Sequence, residues 1–193
     1  MTPQRMPTYS ASTPEVSRLK HLIVRALRAD DDLQAVTELI HAAYAPHAAN
    51  GLRFWGTHQS VDDTAKRFAS GEGFLAEVDG HPIGTVTLRR PQPESPVAAY
   101  RDPYAWSLGQ FAVAPLHKGR GVGRALHAFA LRRAVSHGAR TMLVDTAAPA
   151  LELIEMYRRW GYEPCGECDW RPLTNYLSVL MQRSLHPSMK ETA

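Results

Sequence analysis

The segment from Trp106 to Leu131 constrains the fold of this chain more than any other part of its 193 residues. It begins with an apolar and aromatic run to Val113, which is typical of a β-strand. Pro115 lacks a backbone N–H and therefore ends the strand pairing. A glycine-rich turn follows, and apolar residues recur at helical spacing from Val122 onward. The segment thus predicts a strand, a tight glycine turn and a helix in immediate succession.

This arrangement of strand, turn and helix is suited to binding a phosphate group. Glycines allow positive φ angles and a close approach of the backbone, and the free N–H groups of a first helical turn point toward an anion. Lys118, Arg120 and Arg124 add positive charge. No Gly-Lys-Ser/Thr closes the loop as in a Walker motif, and Arg124 stands where a dinucleotide-binding loop needs glycine. The turn therefore predicts a polyphosphate ligand of neither of these two classes.

Composition limits the classes of function. The length suits one domain with its own core. A formal net charge of +3 is too small to indicate nucleic-acid binding, and no apolar run approaches the ~18 residues of a membrane span. Cys165 and Cys168 are the only cysteines, so neither a disulfide framework nor a zinc site is predicted. We expect a cytoplasmic protein with no metal, nucleic-acid or membrane partner, because the N-terminal residues lack the apolar core of a secretory signal.

Apolar periodicity and turn signals divide the rest of the chain. Residues 1–20 predict a disordered lead, 21–185 a single domain and 186–193 a C-terminal tail. The predicted strands cover residues 21–27, 73–78, 82–89, 106–113, 140–146, 162–169 and 175–184. The predicted helices run from a cap at residues 30–32 to residue 44, over 61–69 after a cap at Ser60, and over 122–137 and 149–160. This order predicts an α/β (α+β) fold with a mixed sheet of about seven strands and about four helices.

Turn residues refine this assignment. Asp79-Gly80 is a strong signal for a two-residue hairpin between the second and third strands. The pair Gly71 and Gly73 is expected to end the second helix. Residues 45–59 and the proline-rich residues 90–103 are predicted as irregular loops, the second of them flexible.

Three short segments resemble the GNAT N-acetyltransferase superfamily. Residues 118–123, KGRGVG, are similar to the family's pyrophosphate loop, Q/R-x-x-G-x-G/A, with lysine at the first position. Residues 111–115, FAVAP, resemble its fourth strand, and residues 156–162, MYRRWGY, are similar to its L-Y-x-x-x-G-F segment. The order of elements resembles the GNAT fold over about residues 21–185. The resemblance implies a sheet that splays between its fourth and fifth strands.

The resemblance also implies the activity and the cosubstrate. It identifies an acetyl-CoA-dependent N-acetyltransferase, in which a primary amine attacks the thioester directly. The glycine loop would hold the pyrophosphate, and free backbone groups of the fourth strand would bind the pantetheine arm. Gly109 is consistent with a β-bulge at that opening. The implied coenzyme-binding residues are Phe111, Ala112, Val113, Lys118, Gly119, Arg120, Gly121, Val122, Gly123 and Arg124.

Catalytic residues follow from the same resemblance. Tyr157 corresponds to the family's general acid, which protonates the leaving thiolate. Ser107 stands where some relatives carry a glutamate base, and we expect it to hold a water that relays the proton to solvent. Glu38 and His41 stay open as alternative bases. Relatives often have asparagine in place of Ala150, so the adjacent Asp145-Thr146 could supply polar contacts instead.

The sequence leaves the acceptor open. The irregular segments near residues 45–59, 90–105 and 169–176 are expected to line it, with Trp55, Tyr104 and Trp170 as aromatic walls, although Trp55 could equally fill the core. A small amine, an antibiotic, an amino acid and a peptide N-terminus all fit, and a homodimer is a further expectation. The alternative is a non-catalytic acyl-CoA-binding sensor of the same fold, because Ala150 and Ser107 depart from the catalytic pattern.

Overall fold

The computed structural model describes residues 21–185, so the predicted N-terminal lead and C-terminal tail lie outside the described residues. Seven strands form one sheet in the order β1-β2-β3-β4-β5-β7-β6. The strands are β1 Ile23–Ala26, β2 Gly71–Val78, β3 His81–Arg89, β4 Ala105–Val113, β5 Thr141–Ala147, β6 Glu163–Asp169 and β7 Leu177–Ser184. The helices are α1 Leu33–Ala49, α2 Val61–Ala69, α3 Ala98–Arg101, α4 Val122–Ser136 and α5 Leu151–Arg159. The mixed α/β fold is confirmed, with five helices instead of four.

The helices cover both faces of the sheet. Neighbouring residues of β2 point to opposite faces: Phe74 packs in the cluster that holds α4 and α5, whereas Leu75 packs in the cluster that holds α1 and α2. Leu126 of α4 and Ile40 of α1 are both fully buried in these clusters. Within residues 21–185, no helix has the length and apolarity to cross a membrane.

Helix α1 continues five residues beyond the predicted end at Tyr44, through Pro46 to Ala49. Proline in a helix removes one hydrogen bond and normally favours an end there. Here the last turn is held by side-chain packing, because the rings of Tyr44 and His47 both contact Phe54, at centroid distances of 5.4 and 4.9 Å. Tertiary contacts therefore outweigh the local signal.

The two glycines predicted to end α2 belong to strand β2 instead. Ser60 caps the N-terminus of α2 and forms a capping box with Asp63. Ser70 caps the C-terminus of the helix. At Gly71 a Cβ would overlap the carbonyl oxygen of Leu88, and at Gly73 it would lie 2.5 Å from the Phe68 ring. Glycine is needed here because the backbones approach closely, not because a helix stops.

The proline-rich segment 90–103 is anchored, contrary to the prediction of a flexible loop. It contains the one-turn helix α3, whose Tyr100 is 3% exposed. The Tyr100 hydroxyl donates to the Asp145 carboxylate at 2.7 Å, and its carbonyl accepts from the Gln92 N–H at 2.7 Å. A buried aromatic side chain thus fixes a stretch that its composition suggested was irregular.

The sheet splays where β4 and β5 separate, as predicted. β4 pairs with β3 along its length but pairs in parallel with β5 only from Ala105 to Ser107. Beside the opening, Gln110 and Phe111 of β4 face one β3 residue, and Gln110 has a φ of +48°. This is a β-bulge next to Gly109, at the place where the sequence indicated one.

Candidate active site

The splay opens into a cavity of about 940 Å³. This volume lies in the upper part of the ~300–1,000 Å³ range of ligand pockets. The cavity is lined by β4 from Leu108 to Val113, by the loop at residues 117–124, by α5, and by parts of the segments 53–56, 92–96 and 170–176. One continuous space therefore joins the glycine-rich turn to the irregular segments that were expected to hold an acceptor.

The glycine-rich turn presents a row of free backbone donors. The N–H groups of residues 119–124 form none of the hydrogen bonds found among residues 21–185; the first helical bond of α4 runs from the Ala125 N–H to the Gly121 carbonyl at 2.9 Å. Gly119 and Gly121 have φ angles of +74° and +89°, which favour glycine. Lys118 ties the turn to α1, since its Nζ donates to the Ala43 carbonyl at 2.9 Å. This is the geometry that a polyphosphate requires.

The predicted coenzyme-binding residues do not all face the cavity. Eight of the ten line it, and the exceptions are Arg120 and Val122. Val122 is 1% exposed because it packs in the core below the first turn of α4. The residues that line the cavity are Phe111, Ala112, Val113, Lys118, Gly119, Gly121, Gly123 and Arg124.

Tyr157 lies at the wall of the cavity on helix α5. Its ring is 8% exposed and packs edge-on against the rings of Trp160 and Tyr162, at 6.0 and 5.5 Å. Among residues 21–185, the tyrosine hydroxyls that form hydrogen bonds are those of Tyr44, Tyr100 and Tyr162, and the Tyr157 hydroxyl forms none. Burial raises the pKa of Tyr157 well above its usual value, so the phenol keeps its proton at neutral pH. The side chain is placed and protonated as a proton donor to the cavity would be.

The side chains considered as bases lie elsewhere. Ser107 is 2% exposed, sits where β4 is still paired with β5, and does not line the cavity. Glu38 is exposed on α1 and accepts from Gln34, and the His41 ring donates to the Gln59 carbonyl at 2.8 Å. Ser107 thus precedes the opening of the sheet, its buried hydroxyl has no partner within residues 21–185, and the water relay through it stays a prediction.

Asp145 is the carboxylate that strand β5 brings to the cavity. It accepts from the Tyr100 hydroxyl at 2.7 Å and from the Trp170 indole N–H at 3.0 Å. Thr146 also lines the cavity, and its buried hydroxyl has no partner within residues 21–185. Ala150 is 1% exposed and packs in the core. Asp145 and Thr146 thus both line the cavity, whereas Ala150 does not.

The three aromatic residues proposed for the acceptor wall separate into two groups. Trp55 and Trp170 line the cavity. Tyr104 does not: it is 46% exposed, and the Arg140 guanidinium stacks on its ring at 4.1 Å. This cation–π contact holds Tyr104 at the surface, so the structure does not bring it to the site.

Sequence reasoning missed two basic residues of the cavity wall, Arg67 of α2 and Arg89 of β3. A signal for Arg67 existed, since it follows the buried Thr64 by three residues and precedes the buried Phe68. A basic residue at that spacing lies beside the core-facing side of its helix. Arg89 had no such signal, because it ends a strand and is followed directly by a second arginine, Arg90, which is exposed.

Comparisons with known proteins agree with this geometry. A family model described as "Acetyltransferase (GNAT) family" matches residues 33–162. The chain is 31% identical over 161 residues to S-(2-succino)cysteine N-acetyltransferase of Bacillus subtilis (strain 168), and the aligned residues cover 82% of this chain and 94% of that relative. It is 28% identical over 144 residues to S-alkylcysteine N-acetyltransferase of the same organism, and the aligned residues cover 69% of this chain and 74% of that relative.

Solved structures share the fold at lower sequence identity. The ribosomal-protein-S18-alanine N-acetyltransferase from Escherichia coli is 16% identical with a TM-score of 0.64, over 89% of this chain and 99% of that one. A GNAT family acetyltransferase from Elizabethkingia anophelis with acetyl-CoA bound is 14% identical with a TM-score of 0.61, over 85% and 98%.

Proposed function

Because this chain belongs to the acetyltransferase (GNAT) family and is an acetyl-CoA-dependent N-acetyltransferase, we propose that its acceptor is the α-amino group of an S-substituted cysteine. The observation that carries this proposal is the acceptor in the names of its two curated relatives. Both names specify a cysteine with a substituent on sulfur that is acetylated on nitrogen. The larger of the two matches covers 94% of the relative, so the likeness includes nearly the whole of that enzyme.

The chemistry of the cavity suits such an acceptor. Away from the glycine-rich turn, its wall is aromatic, with Phe54, Trp55, Trp170 and Tyr176. A thioether sulfur is polarisable and makes favourable contacts with aromatic rings. An alkyl group on the sulfur would be removed from water against the same rings. A thioether amino acid therefore fits this end better than a polar acceptor such as a polyamine.

The glycine-rich turn would hold the coenzyme. The cosubstrate supplies an acetyl group activated as a thioester. The free N–H groups of residues 119–124 would donate to its pyrophosphate, and Lys118 and Arg124 would balance the phosphate charge. Beyond Ser107, β4 forms no ladder with β5 among the described residues, although the Phe111 carbonyl accepts from the Tyr44 hydroxyl at 3.2 Å. The other N–H and C=O groups on this side of β4 would bind the pantetheine amides. A β4 N–H would also stabilise negative charge that develops on the thioester oxygen.

Two side chains are assigned to the reacting groups. Tyr157 would donate its proton to the leaving thiolate, since burial keeps it protonated and its hydroxyl has no other hydrogen bond among residues 21–185. Asp145 would attract the acceptor's ammonium group to the splay, because its carboxylate faces the cavity and is held in place by Tyr100 and Trp170.

A panel of acceptors tests the proposal. Purified protein and acetyl-CoA would be incubated with S-methylcysteine, S-(2-succino)cysteine, O-methylserine and an alanine-terminated peptide, with N-acetylated product measured by mass spectrometry. We expect both thioethers to react at least ~10-fold faster than O-methylserine, in which oxygen replaces sulfur. Acetylation of the peptide without acetylation of either thioether would contradict the proposal.

A further inference from the structure

We propose that Arg67 and Arg89 form the binding site for a carboxylate group of the acceptor. This inference rests on the proposed function and goes beyond it, because it assigns the residues that select an anionic acceptor. Both side chains line the cavity, and no salt bridge found among residues 21–185 includes either of them.

Arg67 is a partly buried cation without a counter-ion. Its guanidinium lies 4.7 Å from the centroid of the Trp55 ring and donates to the neutral side-chain oxygen of Gln59. Burial is the largest cause that lowers the pKa of Arg67 to about 10, and it outweighs nearby charges that act in the opposite direction, such as that of Asp145. A charge removed from water without an ionic partner is unfavourable, and a bound anion would relieve that cost.

Arg89 reaches the same end of the cavity because Gly109 lies beside it. A Cβ on Gly109 would lie 2.8 Å from the Arg89 side-chain Cδ, so glycine leaves room for the arginine to lie across β4 at this point. The polar end of Arg89 has one weak partner, the Gln92 amide oxygen at 3.4 Å. Both arginines line the same cavity, and the positive charge of Arg89 is among the causes that lower the pKa of Arg67.

The pyrophosphate of the coenzyme cannot be the anion that these arginines bind. Arg89 packs beside Gly109, whereas the phosphate-binding turn follows the end of β4 at Val113. Four residues of extended strand separate the two points, which is about 13 Å. The turn has its own donors and its own cations, Lys118 and Arg124. The anion beside Arg67 and Arg89 therefore belongs to another ligand of the same cavity.

An acceptor that carries both a carboxylate and an ammonium group matches this end of the cavity. The cavity-lining carboxylates are Glu94 and Asp145, and neither forms an ion pair with the arginines among the described residues. Asp145 is free to attract an ammonium group while the planar guanidiniums accept a carboxylate through paired N–H···O bonds. An amino acid supplies both groups from one molecule.

The carboxylate has two sources in S-substituted cysteines, the α-carboxylate and a carboxylate on the sulfur substituent. Three acceptors separate them: S-methylcysteine has the first only, S-(2-succino)cysteine has both, and 2-(methylthio)ethylamine has neither. Steady-state kinetics would be measured for the wild type, Arg67→Gln and Arg89→Gln. The control is Arg132→Gln, which removes an exposed arginine on α4 that lies outside this cavity.

We expect kcat/KM for the carboxylate-bearing acceptors to fall by about 10- to 100-fold in either cavity variant, mainly through KM, as loss of a charged hydrogen bond predicts. The KM for acetyl-CoA and the rate with 2-(methylthio)ethylamine should be unchanged. A loss on both cysteine acceptors assigns the α-carboxylate, whereas a loss confined to S-(2-succino)cysteine assigns the carboxylate on sulfur. Arg132→Gln should match the wild type throughout.

Equal losses on all three acceptors, or a wild type that uses 2-(methylthio)ethylamine as well as S-(2-succino)cysteine, would overturn the inference. Failure of the proposed function has a different signature, since then no cysteine thioether reacts with any protein. In that case, calorimetric titration with succinate tests whether the two arginines bind a carboxylate. Succinate binding that is lost in Arg89→Gln supports the anion site, and a wild type that does not bind succinate refutes it.

Discussion

The phenol of Tyr157 is the single side chain on which the chemistry of the site depends most. It is buried, its hydroxyl has no other partner among the described residues, and burial keeps its pKa high. We predict that Tyr157→Phe lowers kcat by about 10²-fold or more, the usual effect of losing a general acid. The KM for acetyl-CoA should change little, because the ring stays in place. Initial-rate kinetics of coenzyme A release check this.

Tyr104→Phe is the matched control for that experiment. Tyr104 is exposed and lies outside the cavity, so removal of its hydroxyl should leave kcat unchanged. A Tyr157→Phe protein that retains the wild-type kcat would show that the leaving thiolate takes its proton from another source.

His127 should make the folded protein sensitive to mild acid. It is 4% exposed, its Nε2 lies 2.9 Å from the Tyr162 hydroxyl, and burial lowers its pKa to about 4. A buried neutral histidine stabilises the fold above its unfolded pKa of ~6.5, and this contribution decreases as the pH falls toward the folded pKa. With these values, its share of the unfolding free energy decreases by about 2 kcal/mol between pH 7 and pH 5.

Urea denaturation of the wild type and of His127→Gln at both pH values measures this share. The wild type should lose about 2 kcal/mol more than the variant on acidification. His47 and His58 also have lowered pKa values, but they are present in both proteins, and their effect cancels in the difference. Equal losses in the two proteins would show that His127 does not carry the pH dependence.

At the level of secondary-structure elements, the close approach of β2 and β3 depends on glycine. A Cβ at Gly71 would overlap the Leu88 carbonyl, whereas a Cβ at Gly166 on β6 would meet nothing within 4 Å. We predict that Gly71→Ala lowers the unfolding free energy by about 1–3 kcal/mol, the usual effect of overpacking. Gly166→Ala should change it by less than ~0.5 kcal/mol. Chemical denaturation of the two variants checks this, and equal stabilities would contradict it.

Caps, turns and bulges were predicted correctly from the sequence where neighbouring residues determine them. The cap at Ser60, the hairpin at Asp79-Gly80 and the bulge beside Gly109 depend on neighbouring residues, and each was placed correctly. The continuation of α1 through Pro46 and the inclusion of Gly71 in β2 were not predicted. Both depend on residues far away in sequence, Phe54 and Leu88, that no local pattern reveals.

The elements differ in how they contribute to the site. β4 provides backbone groups, the first turn of α4 provides N–H donors, and α2 and β3 each contribute one arginine from near their C-terminal ends. Strand β5 ends its pairing with β4 at Leu143 and then presents Asp145 to the opening. The splay is therefore the feature that brings charged side chains from three separate elements, α2, β3 and β5, to one cavity.

At the scale of the whole molecule, we propose that the cavity combines a coenzyme end and an acceptor end. The residues predicted for the coenzyme end are close together in sequence, from Phe111 to Arg124, and eight of the ten line the cavity. The residues proposed for the acceptor end, Arg67, Arg89 and Asp145, come from three distant segments, so no local pattern brings them together. Ser107 and Tyr104 were predicted as site residues, but neither lines the cavity. The sequence does not show that β4 leaves β5 only after Ser107. Only the tertiary arrangement shows which side chains face the opening.

The central claim is that the turn at residues 119–124 binds acetyl-CoA, and a pair of glycine variants tests it most directly. Gly121 and Gly138 have φ angles of +89° and +79°, and in each case a Cβ would meet nothing within 4 Å. Replacement by glutamate therefore imposes similar backbone strain and the same charge at both sites. Only Gly121 lines the cavity.

The measurement is calorimetric titration of acetyl-CoA into the wild type, Gly121→Glu and Gly138→Glu. We predict 1:1 binding to the wild type, at least a ~100-fold higher Kd for Gly121→Glu, and a Kd within ~2-fold of wild type for Gly138→Glu, because only the first variant places a carboxylate against the phosphates. Unchanged affinity in Gly121→Glu, or an equal loss in both variants, would contradict the account.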